Sequence, residues 1–215
     1  MRKYLIDREI YVSSFDFFTL LNSTFFLLMC IFVYYDHFIL FRGSANIHEF
    51  FIYATVIFLV ILFFWYKFKH LRVSGAALIL IEIGILIHFS GAFIEIEGHR
   101  LYDSRFFDIR YDKYVHFFNS MIALIITLYV FAKKGFPYTK LVLMIAVLTV
   151  LGLGAIVEIV EYLVTLTVEH NGVGNYDNNM LDLTANFFGA VSAALFYEFF
   201  FKDYFKSISK KSCIQ

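Results

Sequence analysis

The stretch LVLMIAVLTVLGLGAIVEIVEYLVTL (residues 141–166) decides how this chain is read. A helix needs about 20 mostly apolar residues to cross a bilayer, and this run contains no lysine or arginine. It does contain two carboxylates, Glu158 and Glu161, whose spacing of i, i+3 puts both on one helical face. Working outward, five further runs have the same apolar character: Phe17–Tyr35, Ile47–Tyr66, Gly75–Ile94, Tyr114–Phe131 and Met180–Phe201. The expected fold is all-α, a polytopic transmembrane bundle of about six helices, forming a single integral membrane domain over residues 1–215.

Composition supports this. The chain is 60% hydrophobic with a mean hydropathy of +0.72, whereas soluble chains run at roughly 45–50% apolar. No polar stretch is long enough to build a second, soluble core. Cys30 lies in an apolar run and Cys213 in the polar C-terminal tail, so a disulfide is not expected. The first apolar run lacks a small-residue cleavage site and reads as a retained anchor rather than a signal peptide.

With six spans, the termini share one side with the second-to-third and fourth-to-fifth connections. Of the 18 basic residues, all but Arg42, Arg100, Arg105, Arg110 and Lys113 fall on that side. Basic loops stay inside, so both termini are expected in the cytoplasm, most naturally at the plasma (inner) membrane. The opposite face is acidic, with Glu95, Glu97, Asp103, Asp108, Asp112, Glu169 and Asp177.

Ionisable side chains in a span cost on the order of 2.5–3.5 kcal/mol and call for an explanation. Here they gather. Asp112, His116 and Asn119 share one face of the fourth helix, Glu158 and Glu161 one face of the fifth, and Asp182 and Asn186 one face of the sixth. All three faces lie at similar depth beneath the acidic side. Carboxylates with an imidazole can ligate a divalent ion or supply a general acid and base. The expected site is therefore Asp112, His116, Glu158, Glu161 and Asp182, with Asp112, His116, Glu161 and Asp182 as the metal ligands. Asn119, Asp177, Asn186 and Lys113 are the expected substrate contacts. A helix-start ion pair between Asp112 and His116, or structural glue between helices, is the plainer alternative.

Other polar residues carry less. His88 and Glu95 are seven apart on the third helix, and Glu82 lies deep in it with no partner evident from sequence. Ala185, Gly189 and Ala193 form a small-residue stripe that lets another helix approach closely. The loop HNGVGNYDNN (residues 170–179) is rich in turn formers and is the best candidate for a lid.

At these residues a family likeness emerges. YDKYVHF (residues 111–117) resembles the D-K-x-x-H-F motif of VanZ-like membrane proteins and of the related YjdF-type inner-membrane proteins. EIVEY (residues 158–162) resembles the E-x-x-E segment of the YjdF type, and DLTANFFGA (residues 182–190) resembles the shared D-x-x-x-N-x-x-G-A ending. The likeness covers roughly residues 108–195. VanZ-like proteins usually carry a glutamate–glutamine pair where this chain has Glu158 and Glu161, so the YjdF type fits better. The resemblance implies an inner-membrane protein with a polar site and names no reaction.

Three functions follow from the cluster. The first is a metal-assisted membrane enzyme, a hydrolase or phosphoryl transferase, acting on a lipid or lipid-linked substrate at the outer leaflet. The second is a cation- or proton-coupled transporter using the same carboxylates. The third is an accessory structural protein. Membrane lipids are the expected partners, and no nucleic-acid partner is expected.

Overall fold

The computed structural model describes residues 13–69, 73–167 and 175–212. It is an all-α polytopic membrane bundle, with five helices long and apolar enough to cross a membrane and a shorter apolar helix over Gly75–Gly91. The chain divides into two compact units, Met1–Leu78 and Ile79–Gln215.

In the first unit, α1 (Ser14–Met29) starts at Ser13, whose hydroxyl accepts from the Asp16 amide while the Asp16 carboxylate accepts from the Ser13 amide. This reciprocal box satisfies two amides that would otherwise lack partners. A π-helical turn (Cys30–Tyr34) leads without a break into α2 (Tyr35–Arg42), so the first span runs on to Leu40. The expected end at Tyr35 is therefore too early. Gly43, at φ +76°, then turns the chain toward α3 (Ile47–Phe68). The Trp65 indole donates to Asp16 Oδ1 at 2.7 Å, tying the end of α3 to the start of α1. Phe26, Cys30 and Phe50 make the small core. Most other apolar side chains of α3 are exposed, the pattern of a lipid-facing helix.

In the second unit, α5 (Tyr111–Lys133), α6 (Lys140–Thr167) and α7 (Tyr176–Phe200) pack on one another. Leu124 and Leu128 of α5, Ala146 and Val150 of α6, and Ala190 and Ala193 of α7 form a buried apolar core. α5 and α7 approach closely because Gly189 has no side chain. A Cβ there would stand 2.2 Å from the Phe117 carbonyl oxygen. α4 (Gly75–Phe93), from Ile79 onward, lies beside α5, with Gly84 against the Asn119 side chain.

Two features were not expected. The connection from α4 to α5 folds into two short hairpins, β1 (Glu95–Ile96) with β2 (His99–Arg100), and β3 (Arg105–Phe106) with β4 (Ile109–Arg110). Their turns use positive φ at Glu97 and Gly98, and again at Phe107 and Asp108. Beyond α7, the expected polar tail instead forms α8 (Lys202–Ser212), which buries Phe205 and sends the Ser209 hydroxyl to the Phe136 carbonyl. Beside it the Tyr138 hydroxyl donates to Glu198. Cys213 and residues 170–174 of the expected lid lie outside the described residues.

Candidate functional site

α5, α6 and α7 each contribute a polar side chain within two or three turns of the same end of the bundle. His116 is about 8 Å along α5 from its start, Asp182 about 9 Å along α7, and Glu158 about 13 Å back from the end of α6, at 1.5 Å per residue. The close α5–α7 contact at Gly189 draws the three together. One ligand atom from each of His116, Glu158 and Asp182 lies within 4.8 Å of the others.

The imidazole stands between the two carboxylates. His116 Nδ1 is 3.6 Å from Glu158 Oε1, and Nε2 is 3.4 Å from Asp182 Oδ1. Asp182 is almost fully buried, at 1% exposure, and Glu158 is at 3%. Burying a carboxylate is tolerable only with close partners. Asp182 has them: Lys113 Nζ donates to Oδ1 at 2.6 Å, and Asn178 Nδ2 donates to Oδ2 at 2.8 Å. Glu158 is less complete. Asn179 donates to its Oε2 at 3.2 Å, but Oε1 is buried with no hydrogen-bond donor.

Two cations belong to this network. Arg110 donates to Asn178 Oδ1 at 2.9 Å, and Lys113 donates to the same oxygen at 2.8 Å. Arg110 also reaches Asp103 at 3.1 Å, and Lys113 reaches Asp112 at 3.2 Å. From spacing alone, Lys113 reads as a substrate contact and Arg110 only as a nearby cation. The structure instead brings Lys113 into contact with Asp182 and converges both cations on one amide oxygen.

The structure places the other expected residues as follows. Asp112 is buried against Lys113 and points Oδ1 at no donor. It pairs with Lys113 and Arg110, rather than in the alternative helix-start pair with His116, and it lies outside the His116–Glu158–Asp182 group expected to include it as a ligand. Glu161 is half-buried, one turn on from Glu158 and outside the three-residue group. Asn186 lies one turn deeper, accepting from the Ser120 hydroxyl at 2.7 Å and lying against Gly154, so it joins α5, α6 and α7. Asn119 faces Gly84 of α4. Asp177 is exposed in the first turn of α7, where Asn175 caps the helix. His88 bonds the Tyr102 hydroxyl, while Glu95 stands opposite Arg100 in the first hairpin.

Asn179 and Asn178 were not among the expected site residues. The first had a signal in the sequence, since Asn179, Asp182 and Asn186 recur at i, i+3 and i+7 on one face of α7. The role of Asn178 depends on how the hairpin delivers Arg110, which spacing does not reveal.

The cluster has an apolar floor. Leu124 and Leu128 lie two and three turns below His116, with Val150 and Ala146 below Glu158 and Ala190 and Ala193 below Asp182, all buried.

Fold and site together define a polytopic helical membrane protein with a buried acid–histidine–lysine cluster near one end of its second unit. More particularly, residues 18–203 match the family model described as predicted membrane protein (DUF2238), and the chain belongs to that family. No curated protein and no solved structure matches it.

Proposed function

We propose that this chain is a membrane-embedded enzyme in which His116, Glu158 and Asp182 hold a divalent cation and act on a phosphate-bearing lipid or lipid-linked substrate. The observation that carries the reading is Glu158 Oε1, a buried carboxylate oxygen with no donor, facing an imidazole nitrogen and within reach of a second carboxylate. A cation ligated there would satisfy it. Two oxygen donors and one imidazole suit manganese or zinc, and magnesium less well. A divalent cation held by His116, Glu158 and Asp182 would supply Lewis-acid polarisation of water or of a phosphoryl oxygen for phosphoester hydrolysis. Arg110, one-third exposed beside the cluster, would supply a donor for an anionic headgroup, while the buried Lys113 holds Asp182 and Asn178 in place. The resemblance to YjdF-type proteins and the distribution of basic residues support an inner-membrane location, with the site outward and the termini cytoplasmic.

The Lys113–Asp182 pair favours a second reading, in which the cluster only locks the helices together. The apolar floor disfavours transport along these three helices. Glu158→Gln separates the first two readings, because the amide keeps the shape and can still meet Asn179. Purified wild-type protein, equilibrated with manganese or zinc and desalted, should retain about one ion per chain. Glu158→Gln and His116→Ala should lose it, and with it phosphate or headgroup release from a lipid extract. Equal metal content in all three would overturn the metal site, leaving the structural lock.

A further inference from the structure

We propose that the second hairpin, residues 105–110, is a membrane-interface anchor that seats Phe107 in the headgroup and upper acyl region of the bilayer beside the cluster. Phe107 is 95% exposed, the most exposed large apolar side chain among the described residues, and it lies in no helix. It also occupies φ +51°, followed by Asp108 at φ +61°. Tight hairpin turns of this kind favour asparagine, aspartate and glycine, and a bulky residue in the left-handed region is an outlier that costs free energy. The fold thus holds a large apolar ring outward, at a cost in backbone strain, where no described part of the chain covers it.

The occupant follows from where the hairpin is pinned. It leads directly into α5, a span, and the Tyr114 hydroxyl donates to the Phe106 carbonyl at 2.9 Å. Tyr114 is one turn into α5, so this bond keeps the hairpin beside the end of the span rather than projecting away from it. The Phe106 ring packs edge-on to Tyr111, and Phe106 and Ile109 are each a little under half exposed. Two arginines, Arg105 and Arg110, close the hairpin opposite one another. Exposed aromatic and aliphatic groups above a span, flanked by arginine, suit a layer that is apolar beneath and phosphate-rich above. Phe106, Phe107 and Ile109 are exposed immediately beside the start of an apolar span, which argues for lipid rather than a protein partner. Through Arg110, the same hairpin reaches Asn178 and Asp103. This inference does not depend on a bound metal.

The test uses Phe107→Trp in full-length protein carrying Trp65→Phe, reconstituted in phosphatidylcholine–phosphatidylglycerol vesicles. Emission is expected to be blue-shifted and quenched by lipids brominated near the headgroup, and to be little affected by aqueous iodide. Emission at the wavelength of tryptophan in water with efficient iodide quenching would overturn the proposal. Resistance to both quenchers would overturn it as well, pointing to a protein cover. Because Trp65 bonds Asp16, Phe107→Trp is also measured with Trp65 retained, subtracting the wild-type emission, so the result survives any instability of the double variant. Loss of metal in His116→Ala alongside lipid-quenched emission from the Phe107→Trp variant would be consistent with both proposals, and either can fail alone.

Discussion

Gly189→Ala puts the close contact between α5 and α7 to a direct test. The added methyl would sit 2.2 Å from the Phe117 carbonyl oxygen, which is backbone and cannot swing aside. Real Cβ contacts scarcely fall below 3.0 Å, so the helices must part by about 0.8 Å at this point. That opening acts on the bonds that cross the interface. Lys113 to Asp182, at 2.6 Å, and Ser120 to Asn186, at 2.7 Å, would each stretch past the ordinary hydrogen-bond range. A charge-assisted bond and a neutral one together are worth about 2–4 kcal/mol. Alanine returns about 1 kcal/mol through its better helix propensity, for a net loss of about 1–3 kcal/mol. Gly152→Ala is the matched control, since nothing lies within 4 Å of a Cβ there, and it should be neutral or slightly stabilising. Thermal unfolding of both variants in the same detergent reads the difference directly. A Gly189→Ala protein as stable as Gly152→Ala would refute the argument that this glycine sets the helix separation.

Two further predictions concern polar contacts. Asp182→Asn leaves Lys113 with Asp112 as its remaining close anion, so the loss should fall below the ~3–5 kcal/mol of a fully unpaired buried charge; adding Lys113→Met together with Asp112→Asn should recover much of the loss in the same unfolding assay, and no recovery would show that Asp182 acts otherwise than through Lys113. At the opposite end of the second unit, burial and the Glu198 carboxylate raise the Tyr138 hydroxyl above its ordinary ionisation range. A raised folded-state value means the stabilisation is complete below roughly pH 10 and is lost as pH climbs beyond it. Tyr138→Phe should therefore be less stable at neutral pH and less sensitive to alkali; an unchanged alkaline slope would argue that this contact does not titrate with unfolding.

The membrane fold was legible because hydropathy is additive along the chain, as residues 141–166 show without reference to any neighbour. The polar faces were legible too, because helical periodicity groups Glu158 with Glu161 and Asp182 with Asn186. Which members meet was not. Glu158 turns in beside His116 while Glu161 stays outside the group, a difference of rotation about α6 that spacing cannot fix. Asn119 has the right period for the cluster yet faces α4, since the neighbour across it is set by tertiary packing. The hairpins escaped because each strand is two residues long, too short for any alternation of side chains to register. Glu97-Gly98 nonetheless carries a glycine turn signal. Helix α8 escaped because its lysines lower the local hydropathy while Phe205 and Ser209 keep a buried face.

The apolar floor beneath the cluster has an electrical meaning. Below His116, roughly 25 Å of α5 runs on to Lys133 at 1.5 Å per residue, and its buried side chains Leu124, Leu128 and Ala132 carry no charge. With a bilayer around these helices, most of a transmembrane voltage would fall across that insulating length rather than across the carboxylates. Moving an elementary charge through 100 mV takes about 2.3 kcal/mol, but proton shifts within the cluster traverse little of the drop. On the proposed enzymatic reading, a reaction at His116 should thus proceed at the same rate in polarised and depolarised vesicles.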